Sequence, residues 1–350
     1  MRPYLRRRLV IDAAALLIAA VTLSSSVLAD GGARDWPASG PAPVAIDVHS
    51  MPLPSFDLRD RSHVRFGQLE YRGGLILTSS FRRFGGLSGL RLDDDGNGFL
   101  AVSDKGHWFR GRLRYNGKAL AGLSDVVAAP LLGENGRTIT SRGWYDSESL
   151  ARDGGIAYVG LERVHQILRF DIGADGLRAR GTALPVPAAM KRLPRNKGIE
   201  ALVAVPRGRP LGGTLIAISE RGLDRDGNII AFLIGGPTPG QFAVKRTADY
   251  DISDATSLPD GSVVLLERKF SLTGGVGIRI RRIRLDQFAP DALVDGPVIF
   301  EADLGYEIDN FEGIDAHVTP EGETVLTLVS DDNFFMLQRT LLVQFTLLEP

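Results

Sequence analysis

Leu87-Ser88-Gly89-Leu90, Ser147-Glu148-Ser149-Leu150, Ile199-Glu200-Ala201-Leu202, Ser253-Asp254-Ala255-Thr256 and Phe311-Glu312-Gly313-Ile314 carry the reading of the fold. Each opens a unit of the same layout: a short strand with a polar or acidic start, a turn, an apolar strand, then an acid. The closing acids are Asp104, Glu162, Glu220, Glu267 and Asp331. A base follows in the first four units (Lys105, Arg163, Arg221, Arg268), whereas the fifth has Asp332. Positions 88, 148, 200, 254 and 312 are separated by 60, 52, 54 and 58 residues. Self-similarity at roughly 50–60 residues, with about four strands per unit, is the signature of β-propeller blades.

The surrounding sequence agrees. No long 3.6-residue period appears after His63. Short alternating or β-branched runs are punctuated by turn signals at Asn116-Gly117, Asp153-Gly154, Asp175-Gly176, Asp226-Gly227 and Asp260-Gly261. Segments 99–103, 156–161, 214–219, 263–266 and 324–329 read as buried strands. The expectation is an all-β chain forming a β-propeller of five or six four-stranded blades. An N-terminal strand near 64–71 closes the ring against the last strand, 341–348. Five units are counted, and a sixth has room to hide in 105–147 or 268–311. The competing architecture is a pair of β-sandwiches, which rarely repeat at this period.

Composition narrows the function. The 350 residues include 41 Lys+Arg and 42 Asp+Glu, a formal net charge of −1, and no Cys. Without a basic excess a nucleic-acid partner is not expected. Without Cys there are no disulfides, thiolate metal sites or cysteine nucleophiles. Arg2, Arg6, Arg7 and Arg8 precede an apolar run over 9–23 and a Val27-Leu28-Ala29 cleavage signal, so residues 1–29 read as a signal peptide. The run is short and contains Asp12, which argues against a stable membrane span. The mature protein is expected in the periplasm or secreted. Residues 30–62, with Pro37, Pro41, Pro43, Pro52 and Pro54, read as a poorly ordered Pro-rich leader, and 63–350 as one domain.

In a propeller, one position of each repeat forms a ring around the axis. Clustered carboxylates repel and need a neutralising cation. Asp104, Glu148, Glu200, Glu220, Asp254, Glu267, Glu312 and Asp331 are therefore candidate metal ligands. An all-oxygen set points to Ca²⁺ or Mg²⁺. Lys105, Arg163, Arg221, Arg268 and Lys269 are candidates for holding a small anionic ester or phosphoester. The structural alternative is that these acids and bases simply pair between blades.

Other motifs read as scaffold. Asp93-x-Asp95-x-Asn97-Gly98 resembles a calcium loop, but the apolar strand after it carries Asp104 too far away, so a hairpin turn is expected; Asp224-x-Asp226-Gly227-Asn228 reads as another turn. Gly86-Leu87-Ser88-Gly89 lacks the setting of a nucleophile elbow. His107 reads as a surface residue. The run 278–285 reads as an amphipathic strand with a solvated arginine face and a bulge at Arg281-Arg282.

Several blocks in order resemble a known family. They are Phe84-Gly85-Gly86-Leu87-Ser88-Gly89-Leu90, Ala101-Val102-Ser103-Asp104-Lys105-Gly106, Asp146-Ser147-Glu148-Ser149-Leu150, Lys197-Gly198-Ile199-Glu200-Ala201-Leu202, Leu265-Leu266-Glu267-Arg268-Lys269-Phe270-Ser271, Asp309-Asn310-Phe311-Glu312-Gly313-Ile314 and Leu328-Val329-Ser330-Asp331-Asp332-Asn333-Phe334. Over about 63–349 the chain resembles the phytase-like domain of exported bacterial proteins, labelled "esterase-like activity of phytase". The resemblance implies a β-propeller, six-bladed in the β-propeller phytases, and calcium-dependent hydrolysis of phosphomonoesters or other esters. The alternative is a non-catalytic envelope propeller that binds a ligand or partner.

Overall fold

In the computed structural model, which describes residues 42–271 and 275–348, the strands form five sheets arranged as five blades. The proposed signal peptide lies outside the described residues. From the axis outward, blade I runs Leu87–Leu92, Gly98–Ser103, His107–Asn116 and Ala119–Pro130. Blade II runs Ser147–Asp153, Ile156–Leu161, Gln166–Asp171 and Arg180–Ala183; blade III runs Ile199–Ala204, Thr214–Leu223, Ile229–Gly235 and Gly240–Val244. Blade IV runs Asp251–Ser257, Val263–Ser271, Gly275–Ile283 and Val298–Asp303. The segments with room for a sixth blade instead hold outer strands of blades I and IV, together with short edge strands, Leu132–Gly133 and Leu293–Val294, that pair with blades II and III.

Blade V closes the ring. Its strands Asn310–Val318, Thr324–Asp331 and Thr340–Leu347 come from the end of the chain, and Leu69–Ser79 completes it by pairing antiparallel with Thr340–Leu347. Closure pairs the otherwise open edge of Thr340–Leu347 and leaves Val48–Leu53 as the outer edge of the blade. The closing strand runs several residues beyond the expected one. The described part of the Pro-rich leader is also ordered. Val48–Leu53 pairs with Leu69–Ser79, Val44–Ala45 pairs with Ala119–Pro130, and Phe56 is buried among Phe66, Phe300, Tyr306 and Phe345. Prolines are tolerated because this strand lies at a sheet edge. Among the described residues no helix is long and apolar enough to cross a membrane.

The five innermost strands share one irregularity. Each carries a β-bulge at the same point, which skips Ser88, Glu148, Glu200, Ser253 and Glu312 in the pairing. A bulge leaves one residue outside the ladder and re-aims its side chain. In blade IV it falls on Ser253, so Asp254 is one residue out of step with Glu148, Glu200 and Glu312. Glu267 is displaced likewise. The pairs flanking the bulge are Gly86 with Asp104, Asp146 with Glu162, Gly198 with Glu220, Asp251 with Arg268, and Asn310 with Asp331. Arg268, not Glu267, occupies the acid position of blade IV.

The displaced acids have structural work. Arg91 reaches from blade I to the fully buried Asp254 of blade IV through two bonds of 2.9 and 3.0 Å. Its guanidinium also donates to the carbonyls of Leu90, Leu202, Ala255 and Ile314, which belong to blades I, III, IV and V. Asp254 in turn accepts the N–H groups of Ala255 and Ile314. Glu267 is buried between Arg279 and Arg281, at 2.6 Å from each. The expected solvated arginine face is therefore an interior ion cluster, because Glu267 on the neighbouring strand compensates both charges. The bulge expected at Arg281-Arg282 lies instead on the neighbouring strand, where Ile299 is skipped between Phe300 and Val298.

Replacing Arg91 with Met strands the Asp254 carboxylate in the interior. The expected cost is about 3–5 kcal/mol in urea unfolding. Arg91→Met combined with Asp254→Asn, which removes the stranded charge and keeps an acceptor for one of the two N–H groups, should recover part of that loss. A single mutant as stable as the parent would show that the cross-axis pair does not hold the ring.

Candidate functional site

The bulges place Glu148, Glu200 and Glu312 at one mouth of the channel, together with the acids that follow the second strands. Glu162, Glu200 and Glu220 converge: one carboxylate oxygen from each lies within 4.8 Å of the others, and all three side chains are buried. Glu162 follows the repeat pattern but stood outside the expected ligand set. It is oriented by the Gly198 N–H, which donates to it at 2.9 Å. Glu220 takes Lys197 at 2.5 Å and Arg268 at 3.5 Å. Glu200, only 5% exposed, has no hydrogen bond or ion pair among the described residues. The Ser253 hydroxyl, at the bulge of blade IV, is likewise buried without a partner, as is Oδ1 of Asp104.

Arg268 is the cationic member of this ring. It binds Glu312 and Asn310 and approaches Glu220. Burial opposes its charge, but Glu312, Glu220, Glu200 and Glu148 hold the guanidinium ionised and raise its pKa above the ordinary value. One arginine cannot neutralise so many acids. Burial, reinforced by neighbouring carboxylates, pushes Glu148, Glu200 and Asp331 well above their usual range. Burial likewise pushes Glu162 up to about 7 and Asp104 up to about 6, the latter against the pull of Lys105. A buried, oxygen-rich, proton-hungry pocket with unpartnered atoms suits a hard divalent cation such as Ca²⁺.

The remaining expected residues are distributed as follows. Lys105 pairs with Asp104 at 2.6 Å, Arg163 with Asp146, and Arg221 with Asp251. Lys269 lies 3.8 Å from Glu301 and over the Tyr250 ring. Lys105, Arg163 and Arg221 stand around the mouth and Arg268 lies within it, whereas Lys269 turns outward to the outermost strand of blade IV. Asp254 and Glu267, expected beside the other ligands, are taken up by Arg91, Arg279 and Arg281. Ser88 is fully buried and donates to the Ser147 carbonyl, which leaves it no role as a nucleophile. His107 is buried rather than superficial, and burial lowers its pKa to about 3, so it stays neutral. The two acidic motifs are turns: Asp93 N–H bonds Gly98 O, and Asp224 N–H bonds Asn228 O. A cavity of about 290 Å³, lined in part by Val203, Leu258 and His317, opens at the other end of the channel, beyond Arg91.

Comparison with known proteins bears on this arrangement. No curated protein matches the chain. Among solved structures, similar folds include the β-propeller domain of Cps50 (Swd1) from Myceliophteria thermophila, with 12% identity, 72% of this chain and 67% of that chain covered, and a TM-score of 0.34. A 6-phosphogluconolactonase-like protein from Bacteroides fragilis is 14% identical over 83% of this chain and 93% of that one, with a TM-score of 0.37. U3-55K is 10% identical over 76% and 96%, with a TM-score of 0.40. Such distant likenesses say nothing about the chemistry. A family model described as phytase-like, esterase-like activity of phytase, matches residues 82–334, which include every acid and base of the channel mouth. The chain belongs to this phytase-like family.

Proposed function

We propose that this propeller is an exported, calcium-dependent hydrolase of phosphomonoesters or related small anionic esters. The observation that carries this reading is the convergence of Glu162, Glu200 and Glu220, with Glu200 buried and unpartnered, inside a mouth flanked by Lys105, Arg163 and Arg221. The three glutamates would hold the cation, with Glu148 and Glu312 adding negative charge around it. Bound there, the ion would supply positive charge that polarises a phosphoryl or acyl oxygen. The rim cations would hold and orient the anionic group of the substrate. Asp104, whose carboxyl burial pushes up to about 6, would accept the proton from the attacking water. Water oxygen then bonds to phosphorus or acyl carbon, the ester bond to the leaving oxygen breaks, and the proton passes to the departing alcohol. With Arg91 and Asp254 buried across the axis beneath, substrate would enter and product would leave by the same mouth.

Purified mature protein should hydrolyse phenyl phosphate or a short acyl ester in Ca²⁺ and lose that activity in chelator. Glu200→Gln should lower turnover at least about tenfold, the scale of one lost electrostatic contact. Equal rates with and without chelator would overturn the metal-dependent reading. Turnover absent in both conditions would leave a non-catalytic binding propeller.

Stability offers a second check. In chelator, the folded chain retains protons on Glu162 and Asp104 that the unfolded chain, with carboxyl values of 4.5 and 3.8, has already released. The unfolded state therefore binds fewer protons between about pH 4 and 7, and stability falls as pH rises through that window. The melting temperature in chelator should be lower at pH 8 than at pH 5. A cation binding only the folded chain adds ~2.7 kcal/mol at 100 times its Kd. Millimolar Ca²⁺ should thus restore several degrees at pH 8 and fewer at pH 5. A melting temperature indifferent to Ca²⁺ at pH 8 would count against the cation site.

Export is tested by the mass of the protein recovered from the envelope fraction of a bacterial host. The expected N-terminus is Asp30, and an intact Met1 there would overturn cleavage.

A further inference from the structure

Three of the candidate anion-binding bases share a feature: each lies over an aromatic ring. Lys105 Nζ is 5.6 Å from the Phe334 centroid, Arg163 Cζ is 4.6 Å from that of Tyr145, and Lys269 Nζ is 4.6 Å from that of Tyr250. The first two pairs flank one seam. The Asp146 N–H of blade II donates to the Asp104 carbonyl of blade I at 2.8 Å. Lys105 holds the Asp104 carboxylate, and Arg163 holds that of Asp146 and donates to the Tyr145 hydroxyl at 3.1 Å.

Phe334 is built into this seam from the last blade at a conformational cost. Asn333 and Phe334 are both left-handed, with φ of 48° and 51°, a region that a bulky side chain rarely adopts. Hydrogen bonds fix the excursion. Asp331 accepts the Asn333 N–H at 2.6 Å, and Asp332 accepts the N–H groups of Gly86 and Phe334 and the Thr340 hydroxyl at 3.0–3.1 Å. The ring edge rests on Gly86, whose φ is +61°; a Cβ there would meet Phe334 at 2.6 Å and collide with Asp104 Oδ1. Glycine thus lets an aromatic ring and the Asp104 carboxylate share one spot. Even so, Phe334 remains 41% exposed and Tyr145 38% exposed. Strain held in place around an exposed ring points to use rather than to packing.

We infer that Phe334 and Tyr145, with Lys105 and Arg163, form a specificity subsite for an anionic ester that carries an aromatic arm, as in an aryl phosphomonoester. The rings offer rigid apolar area with little entropy to lose, and they hold the two cations where the anionic group must lie. A polyol phosphate has nothing to place against them. This rests on the hydrolase reading for its physiological meaning, but binding alone can be measured.

Phenylphosphonate and methylphosphonate share the charged group and cannot be hydrolysed. Titration calorimetry in Ca²⁺ should show phenylphosphonate binding the wild-type chain about tenfold more tightly, the size expected of one or two ring contacts. Phe334→Ala should bring the ratio close to one, and Phe334→Tyr should keep it; thermal melting of each variant confirms folding. Equal affinity of the wild type for the two, failure to bind either, or a ratio unchanged in Phe334→Ala would overturn the subsite. Retained discrimination without turnover of phenyl phosphate would overturn the hydrolase reading and leave the subsite standing.

Discussion

A single guanidinium stands on the axis of the ring. Arg91 joins blade I to Asp254 of blade IV and collects carbonyls from blades III and V, so four of five blades meet in its hydrogen bonds. Beside it Asp315 of blade V accepts from Thr256 of blade IV and the Leu92 N–H of blade I, both at 2.6 Å. An ion pair this deep is held by bidentate geometry and by satisfaction of the remaining donors, since desolvation alone would make it unfavourable. Its consequence for function is architectural. The inner strands are tied across the axis beneath the acidic mouth, and Arg91 and Asp254 form its buried floor.

Everything distinctive about the cup follows from carboxylates kept from water. Inter-blade ties such as Ser147 to the Ser103 carbonyl and Ser149 to the Ile199 carbonyl hold the inner strands close, so their bulge residues cannot splay apart. The acids therefore respond by holding protons or recruiting cations. Arg268 answers part of the demand from inside, Lys197 part from the rim, and Glu200 is left unanswered. The proposed cation would relieve that imbalance, a different arrangement from Glu267, where two arginines complete the neutralisation.

The repeat was legible because each blade needs the same inner strand, the same bulge and the same polar exit. Ring closure was legible because an edge at one end of the chain needs a partner at the other. Blade IV misleads because an acid follows its bulge: matching acid to acid selects Asp254 and Glu267, while the backbone counts Ser253 and Arg268. The Pro-rich stretch misleads for a related reason. Low apolar content predicts disorder, yet Leu53 and Phe56 are anchored by a core assembled from distant strands. Tyr145 and Phe334 carried no periodic signal, since they belong to loops and act through proximity across the seam.

The blade repeat, the closure of the ring and the kinds of charge carried to the mouth are written along the chain, because strand period, turn chemistry and residue type are local properties. Only the tertiary structure decided which charges are neutralised and which remain open. That depends on a one-residue bulge, which sends Asp254 toward Arg91 and Glu200 toward Glu162 and Glu220, and side-chain direction after a bulge is set by pairing with another strand rather than by the chain's own succession.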